Sequence, residues 1–173
     1  MTNCIFDTLN SLNQAAPLNT LREIVESADV TLEDVRAHVF YDNEHYTRNR
    51  VLITPHVEAR VLCWLPGQSS PIHDHSGSAC IIKVLNGELT ECTYELNHDT
   101  PIAIAANKFS RGSVLGSQDQ DIHKVCNLNP SEPLVTLHTY SPPLDHMNTW
   151  QEQKSLLAQF QDFVRSLATI TSS

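Results

Sequence analysis

Residues 67–87 read GQSSPIHDHSGSACIIKVLNG. His73 and His75 alternate with Asp74. On an extended strand successive side chains point to opposite faces, so the two imidazoles share a face and can aim at one interior point. Neutral imidazole is the commonest metal-binding side chain, and an H-x-H pair on a strand supplies half of a metal site. The other half must come from elsewhere in the chain.

A chain of 173 residues suits a single domain, here divided into a helical lobe over 1–40, a β-barrel over 43–145 and a C-terminal helix over 151–168. The net charge of -9 argues against nucleic acid or an anionic membrane as partner, because both demand clustered Lys and Arg. A small molecule is the expected partner, and a monomer the expected state. The first residues, MTNCIFDTLNSLNQ, lack a basic region followed by an apolar run, and no apolar run approaches membrane-spanning length. A soluble, cytoplasmic protein is expected. Cys4, Cys63, Cys80, Cys92 and Cys126 form an odd set without a C-x-x-C pair, which suits reduced thiols better than a disulfide framework or a structural zinc site.

Residues 5–39 carry a helical pattern broken at Pro17. Thr20 and Glu23 have the form of a capping box, and Thr31 with Asp34 opens a second segment over 31–40. Short β-favouring runs follow at 50–54, 59–64, 79–85, 89–95, 102–105, 122–127 and 134–140, punctuated by turn residues. That rhythm predicts a mainly β sandwich or barrel. Asn86-Gly87 reads as a hairpin turn. In the tail, Leu156, Leu157, Phe160, Phe163, Val164 and Leu167 make one apolar stripe over 155–167, predicting a helix packed on the barrel.

Most of the remaining histidines, His38, His45, His56, His98 and His146, need no more than a surface or satisfied core role. The spacing around His73 and His75 is more informative. Gly67, five residues, His73-Asp74-His75, four residues, Cys80, six residues and Gly87 resembles the first cupin motif. Cys80 stands where most cupins carry a glutamate ligand. His123 and Asn127, led by Gly112, resemble the second motif in part, with Gln118 and Gln120 in place of its Pro and Gly. Three neutral imidazoles from His73, His75 and His123 leave a divalent ion's charge uncancelled, which favours a thiolate ligand. Zinc also accepts three histidines and water, so spacing does not choose between iron and zinc.

Tyr46-Thr47-Arg48-Asn49, Cys63-Trp64, PIHDHSGSAC over 71–80, Ile122-His123-Lys124-Val125 and LHTYSPP over 137–143 occur in the order found in cysteine dioxygenases. Over 46–143 the chain resembles this thiol dioxygenase family of the cupin superfamily. The resemblance implies a cupin jelly-roll barrel, Fe(II) on His73, His75 and His123, and L-cysteine bound through its thiolate and amine. Both atoms of O2 are then transferred to sulfur, giving cysteine sulfinic acid. It also implies that Arg48, beside Tyr46, pairs with the substrate carboxylate, for which a planar fork of donors is suited. Tyr140 corresponds to the tyrosine near substrate and oxygen, and His138 to the histidine that hydrogen-bonds it. A core aromatic and a fourth metal ligand are the respective alternatives. Ser141-Pro142-Pro143 resembles a turn with a cis Ser-Pro bond. Cys80 corresponds to a cysteine that in some members forms a thioether with the tyrosine, here Cys80 to Tyr140. Its alternative is a buried free thiol. Trp64 is either near the site or an ordinary core aromatic, and Asp74 is expected to point away from the metal.

Two further readings stay open on these residues. One is a dioxygenase for another small thiol carboxylate such as 3-mercaptopropionate, which Arg48 disfavours because such relatives usually carry glutamine there. The other is a non-enzymatic metal-binding cupin, which leaves Arg48, His138 and Tyr140 unexplained in combination.

Overall fold

The computed structural model describes residues 5–118 and 121–151. Helix α1 (Ile5–Asn10), helix α2 (Leu18–Ser27) and a 3-10 helix (Glu33–His38) precede ten strands. Strands β1 (Thr47–Ile53), β2 (Glu58–Trp64), β9 (Leu134–Ser141), β4 (Ala79–Asn86) and β7 (Val114–Gln118) form one sheet in that spatial order. Strands β10 (Thr149–Trp150), β3 (Ile72–His73), β8 (Ile122–Cys126), β5 (Glu88–Asn97) and β6 (Thr100–Ser110) form the other. Every pairing between these strands is antiparallel.

The inner faces of the two sheets share one core. Leu62, Trp64, Cys80, Ile82 and Tyr140 of the first sheet pack with Leu89 and Val125 of the second. The outer face of the first sheet is covered in turn. Val61, Ile81, Val135 and Leu137 pack beneath Ile5, Leu9, Leu21 and Val25 of the two helices. Strand β9 is therefore buried along its whole length, with Thr136, His138 and Tyr140 turned inward and Val135 and Leu137 turned to the helices. The helical segment is a layer of the domain.

Several expectations change. Helix α2 starts at Leu18 after Pro17, whose carbonyl accepts the Leu21 N–H at 3.0 Å, so Thr20 lies inside the helix and caps nothing. The segment expected over 31–40 is a 3-10 helix, entered by the Asp34 carboxylate accepting Thr31 N–H and O–H at 2.8 and 2.7 Å. Asn86-Gly87 does not make a hairpin. Strand β4 finds its partners in β9 and β7, while β5 pairs with β6 and β8, so Gly87 carries the chain from one sheet to the other. Its φ is +80°, and a Cβ there would meet the Pro133 carbonyl oxygen at 2.7 Å. The tight hairpin falls instead between β5 and β6, where His98 and Asp99 take positive φ. Strands β7 and β10 had no clear signal in the sequence, because both are short and depend on neighbours for their pairing. The C-terminal helix expected over 151–168 lies outside the described residues.

Candidate metal centre

His73 ends strand β3, and His123 sits directly opposite it on β8. His75 lies beyond the strand, correcting the expectation that both histidines of the pair share it. Ser76 and Gly77 take positive φ and turn the chain back toward β4. Even so, the three rings converge. Their centroids are 5.4 Å apart for His73 and His75, 4.7 Å for His73 and His123, and 4.9 Å for His75 and His123. One ligand atom from each lies within 4.8 Å of the others.

Each ring is held through Nδ1. The Pro71 carbonyl oxygen lies 3.0 Å from His73 Nδ1, the Ser117 hydroxyl 3.3 Å from His75 Nδ1, and the Glu91 carboxylate 2.8 Å from His123 Nδ1. A carbonyl and a carboxylate only accept, so Nδ1 of His73 and His123 carries the proton and Nε2 keeps its lone pair. Nε2 of His123 is buried and has no hydrogen-bond partner among the described residues. Burial, then the neighbouring His123, depresses the basicity of His73 to about 4 and of His75 to about 2. Both rings are neutral at physiological pH, the state that binds a metal. The donor set thus fits a divalent ion. It contains no carboxylate.

Asp74 points away from this centre, as expected. Its carboxylate accepts the Asn148 N–H at 2.9 Å, the Asn148 side-chain amide at 2.7 Å and the Ser76 hydroxyl at 3.2 Å. Those bonds, with the pairing of Thr149 to His73, tie the segment after β9 against the histidine strand.

On the facing sheet, Arg48 of β1 lies beside Leu62. Its Nε is buried without a hydrogen-bond partner among the described residues. Its guanidinium is near enough to His73, His75 and His138 to disfavour a proton on each, after burial and in part other histidines. Tyr46 stacks on Trp64 with centroids 4.2 Å apart and planes 9° apart. Trp64 Nε1–H donates to Thr136 Oγ1 at 3.1 Å. Thr136 Oγ1 lies 3.0 Å from His138 Nε2, and His138 Nδ1 lies 3.2 Å from the Tyr140 hydroxyl. Both nitrogens of His138 are spent in this chain, and the clustered metal-ligand set among the described residues is His73, His75 and His123. Tyr140 stands opposite Cys80 of β4. Burial raises the pKa of both the phenol and the thiol; Cys80 raises that of Tyr140 further, and Glu91 that of Cys80. The Ser141-Pro142 bond that follows is cis.

The cysteine dioxygenase type I family model matches residues 7–153. The chain belongs to this family. Its relatives include cysteine dioxygenase type 1 of Danio rerio, 28% identical over 160 residues, covering 86% of this chain and 78% of that protein. The human cysteine dioxygenase type 1 is 27% identical over 155 residues, covering 79% of this chain and 78% of that protein. Among solved structures, a double-stranded beta-helix domain protein from Klebsiella pneumoniae superposes with a TM-score of 0.55 at 19% identity, over 68% of this chain and 95% of that one. A protein from Thermus thermophilus superposes at 0.54 with 21% identity, over 65% and 98%. These structures share the fold, a cupin-type double-stranded β-helix.

Within this cysteine dioxygenase fold, Arg48, His73, Cys80, His123, His138 and Tyr140 lie on strands of the two sheets, whereas Tyr46 and His75 lie just outside them. The partners that orient them were missed. Glu91 falls on the inward parity of β5 with Leu89, and Thr136 on that of β9 with His138, but neither carries a motif of its own. No helix among the described residues is long and apolar enough to cross a membrane.

Proposed function

We propose that this protein is an Fe(II)-dependent cysteine dioxygenase, converting L-cysteine and O2 to cysteine sulfinic acid in the cytoplasm. The observation that carries this reading is a buried all-imidazole cluster together with an arginine whose buried Nε has no partner among the described residues and a hydrogen-bonded tyrosine. The reaction balances as RSH plus O2 giving RSO2H: sulfur loses four electrons, dioxygen gains them, and the thiol proton ends on the sulfinic acid. His73, His75 and His123 would hold an Fe(II) ion, which would supply Lewis-acid and redox chemistry to the thiol and dioxygen.

The chain's own residues do the rest. Arg48 offers its fork to the substrate carboxylate and fixes the thiol's distance from the histidines. Trp64 can only donate, so Thr136 accepts from it and keeps its own hydroxyl proton available to donate to His138 Nε2. His138 then carries its proton on Nδ1 and donates it to the Tyr140 oxygen. The phenol proton is left to point toward the substrate, and a raised pKa keeps it there at neutral pH. Tyr140 thereby acts as a hydrogen-bond donor to the reacting group.

The cross-strand placement of Cys80 and Tyr140 supports a thioether between them, formed by loss of two hydrogens with dioxygen as oxidant. Intact mass before and after turnover tests it: a species lighter by two hydrogens is expected, and its absence discards the bond. The free thiols of Cys63, Cys80 and Cys92 support a reducing compartment.

The deciding experiment is anaerobic iron loading followed by cysteine and oxygen, with sulfinate measured. Arg48→Ala should lower kcat/KM for cysteine by roughly a hundredfold or more, corresponding to loss of a buried charge partner worth about 3 kcal/mol. Unchanged kinetics would remove Arg48 from the site, and greater oxygen uptake with 3-mercaptopropionate than with cysteine would change the substrate.

A further inference from the structure

The inner wall beside Arg48 carries a second charged group that the proposed reaction does not use. Arg60 and Glu58 of β2 have the same strand parity as Leu62 and Trp64, which belong to the inner core. Arg60 pairs across to His138, and Glu58 to Tyr140. Glu58 is 1% exposed, and its Oε1 accepts Arg50 Nε at 2.8 Å and Arg60 Nε at 2.7 Å. One buried carboxylate therefore pairs with two arginines, one largely exposed and one mostly covered.

The geometry of the clamp matters more than the charge count. Both arginines spend Nε on Glu58, which leaves the paired Nη donors of each guanidinium uncommitted to any residue described. Arg50 is 55% exposed and loses most of its reach to solvent, whereas Arg60 is 18% exposed. The positive charge of Arg60 also favours ionisation of the Tyr140 phenol, so its field reaches the same chamber. A partly buried fork fixed through Nε, with no hydrogen bond from its outer nitrogens among the described residues, is suited to taking a carboxylate.

Resting on the dioxygenase reading, we infer that Arg60 is a second carboxylate-recognising residue of the chamber. The substrate class extends to small thiols that carry a carboxylate on the thiol-bearing carbon in addition to the one taken by Arg48. Glu58 is the positioning residue for that fork. Oxidation of such a thiol is the same balanced addition of both oxygen atoms to sulfur.

Mercaptosuccinate and 3-mercaptopropionate differ only by that second carboxylate, so their comparison isolates it. Binding is read in the cobalt-substituted protein without oxygen, from the change in cobalt absorption, and turnover is read separately as oxygen uptake by the iron form. The wild type should bind mercaptosuccinate at least about tenfold more tightly than 3-mercaptopropionate, as expected for a charged hydrogen-bonding pair. Arg60→Met should erase that ratio. Because it leaves Glu58 half paired, the double variant Glu58→Gln/Arg60→Met removes both charges and should erase the ratio equally. A wild type without the preference, or folded variants that retain it, would overturn the assignment. If the binding preference follows Arg60 but iron-loaded protein consumes no oxygen with any thiol, the dioxygenase reading fails and the assignment stands.

Discussion

Acidifying the metal-free protein should unfold it through its own ligand set, and His73 allows the size of that effect to be worked out. Its ring is 8% exposed, and burial followed by the neighbouring His123 lowers its pKa from 6.5 to about 4. In the unfolded chain the same ring titrates at its ordinary value. Between those two values the unfolded state holds the extra proton, so stability must fall as pH falls. Above about pH 6.5 both states are neutral and the histidine contributes no slope. A shift of about 2.5 units is worth about 3 kcal/mol in full, of which about 2 kcal/mol is lost between about pH 7 and pH 5. Urea unfolding of metal-free protein at those two pH values measures it directly. In His73→Gln the loss over the same interval should be smaller by about 2 kcal/mol, because the titrating group is gone. An identical loss in wild type and variant would show that His73 is not held neutral by the fold, and the account of a preformed imidazole cluster would fail.

Glu91→Gln keeps the shape of the bond to His123 Nδ1 but removes its charge. Competition with a chelator should show metal affinity weaker by about tenfold to a hundredfold. Gly87→Ala places a Cβ against the Pro133 carbonyl at a positive φ, and thermal melting should register a destabilisation of more than about 1 kcal/mol. An unchanged melting temperature would contradict the sheet-crossing role given to that glycine.

Strands with strong alternation and turn punctuation were legible in the sequence, and so was the histidine set, because H-x-H and His123 sit at characteristic spacings. The failures share a physical cause. Asn86-Gly87 specifies a turn but not which strands pair across it, and β4 is claimed by β9 and β7. Thr20 and Glu23 satisfy a local pattern, yet Pro17 starts the helix earlier. Glu91, Ser117 and Thr136 are ordinary residues until strand register puts them behind His123, His75 and His138. The Glu58 clamp was missed for the same reason: Arg50, Arg60 and Glu58 look like exposed alternating charges until the fold buries Glu58 and covers most of Arg60.

The Ser141 hydroxyl receives the Ala16 N–H at 2.7 Å and donates to the His56 carbonyl at 2.8 Å, immediately after Tyr140 on the strand buried along its whole length. The segment that leads into the helical layer and the strand that carries the Tyr140 phenol are thus joined by one atom of a serine. Trimming the residues before α2 would slacken the back of strand β9, and the injury would surface on its other side, as a tyrosine that no longer holds its aim.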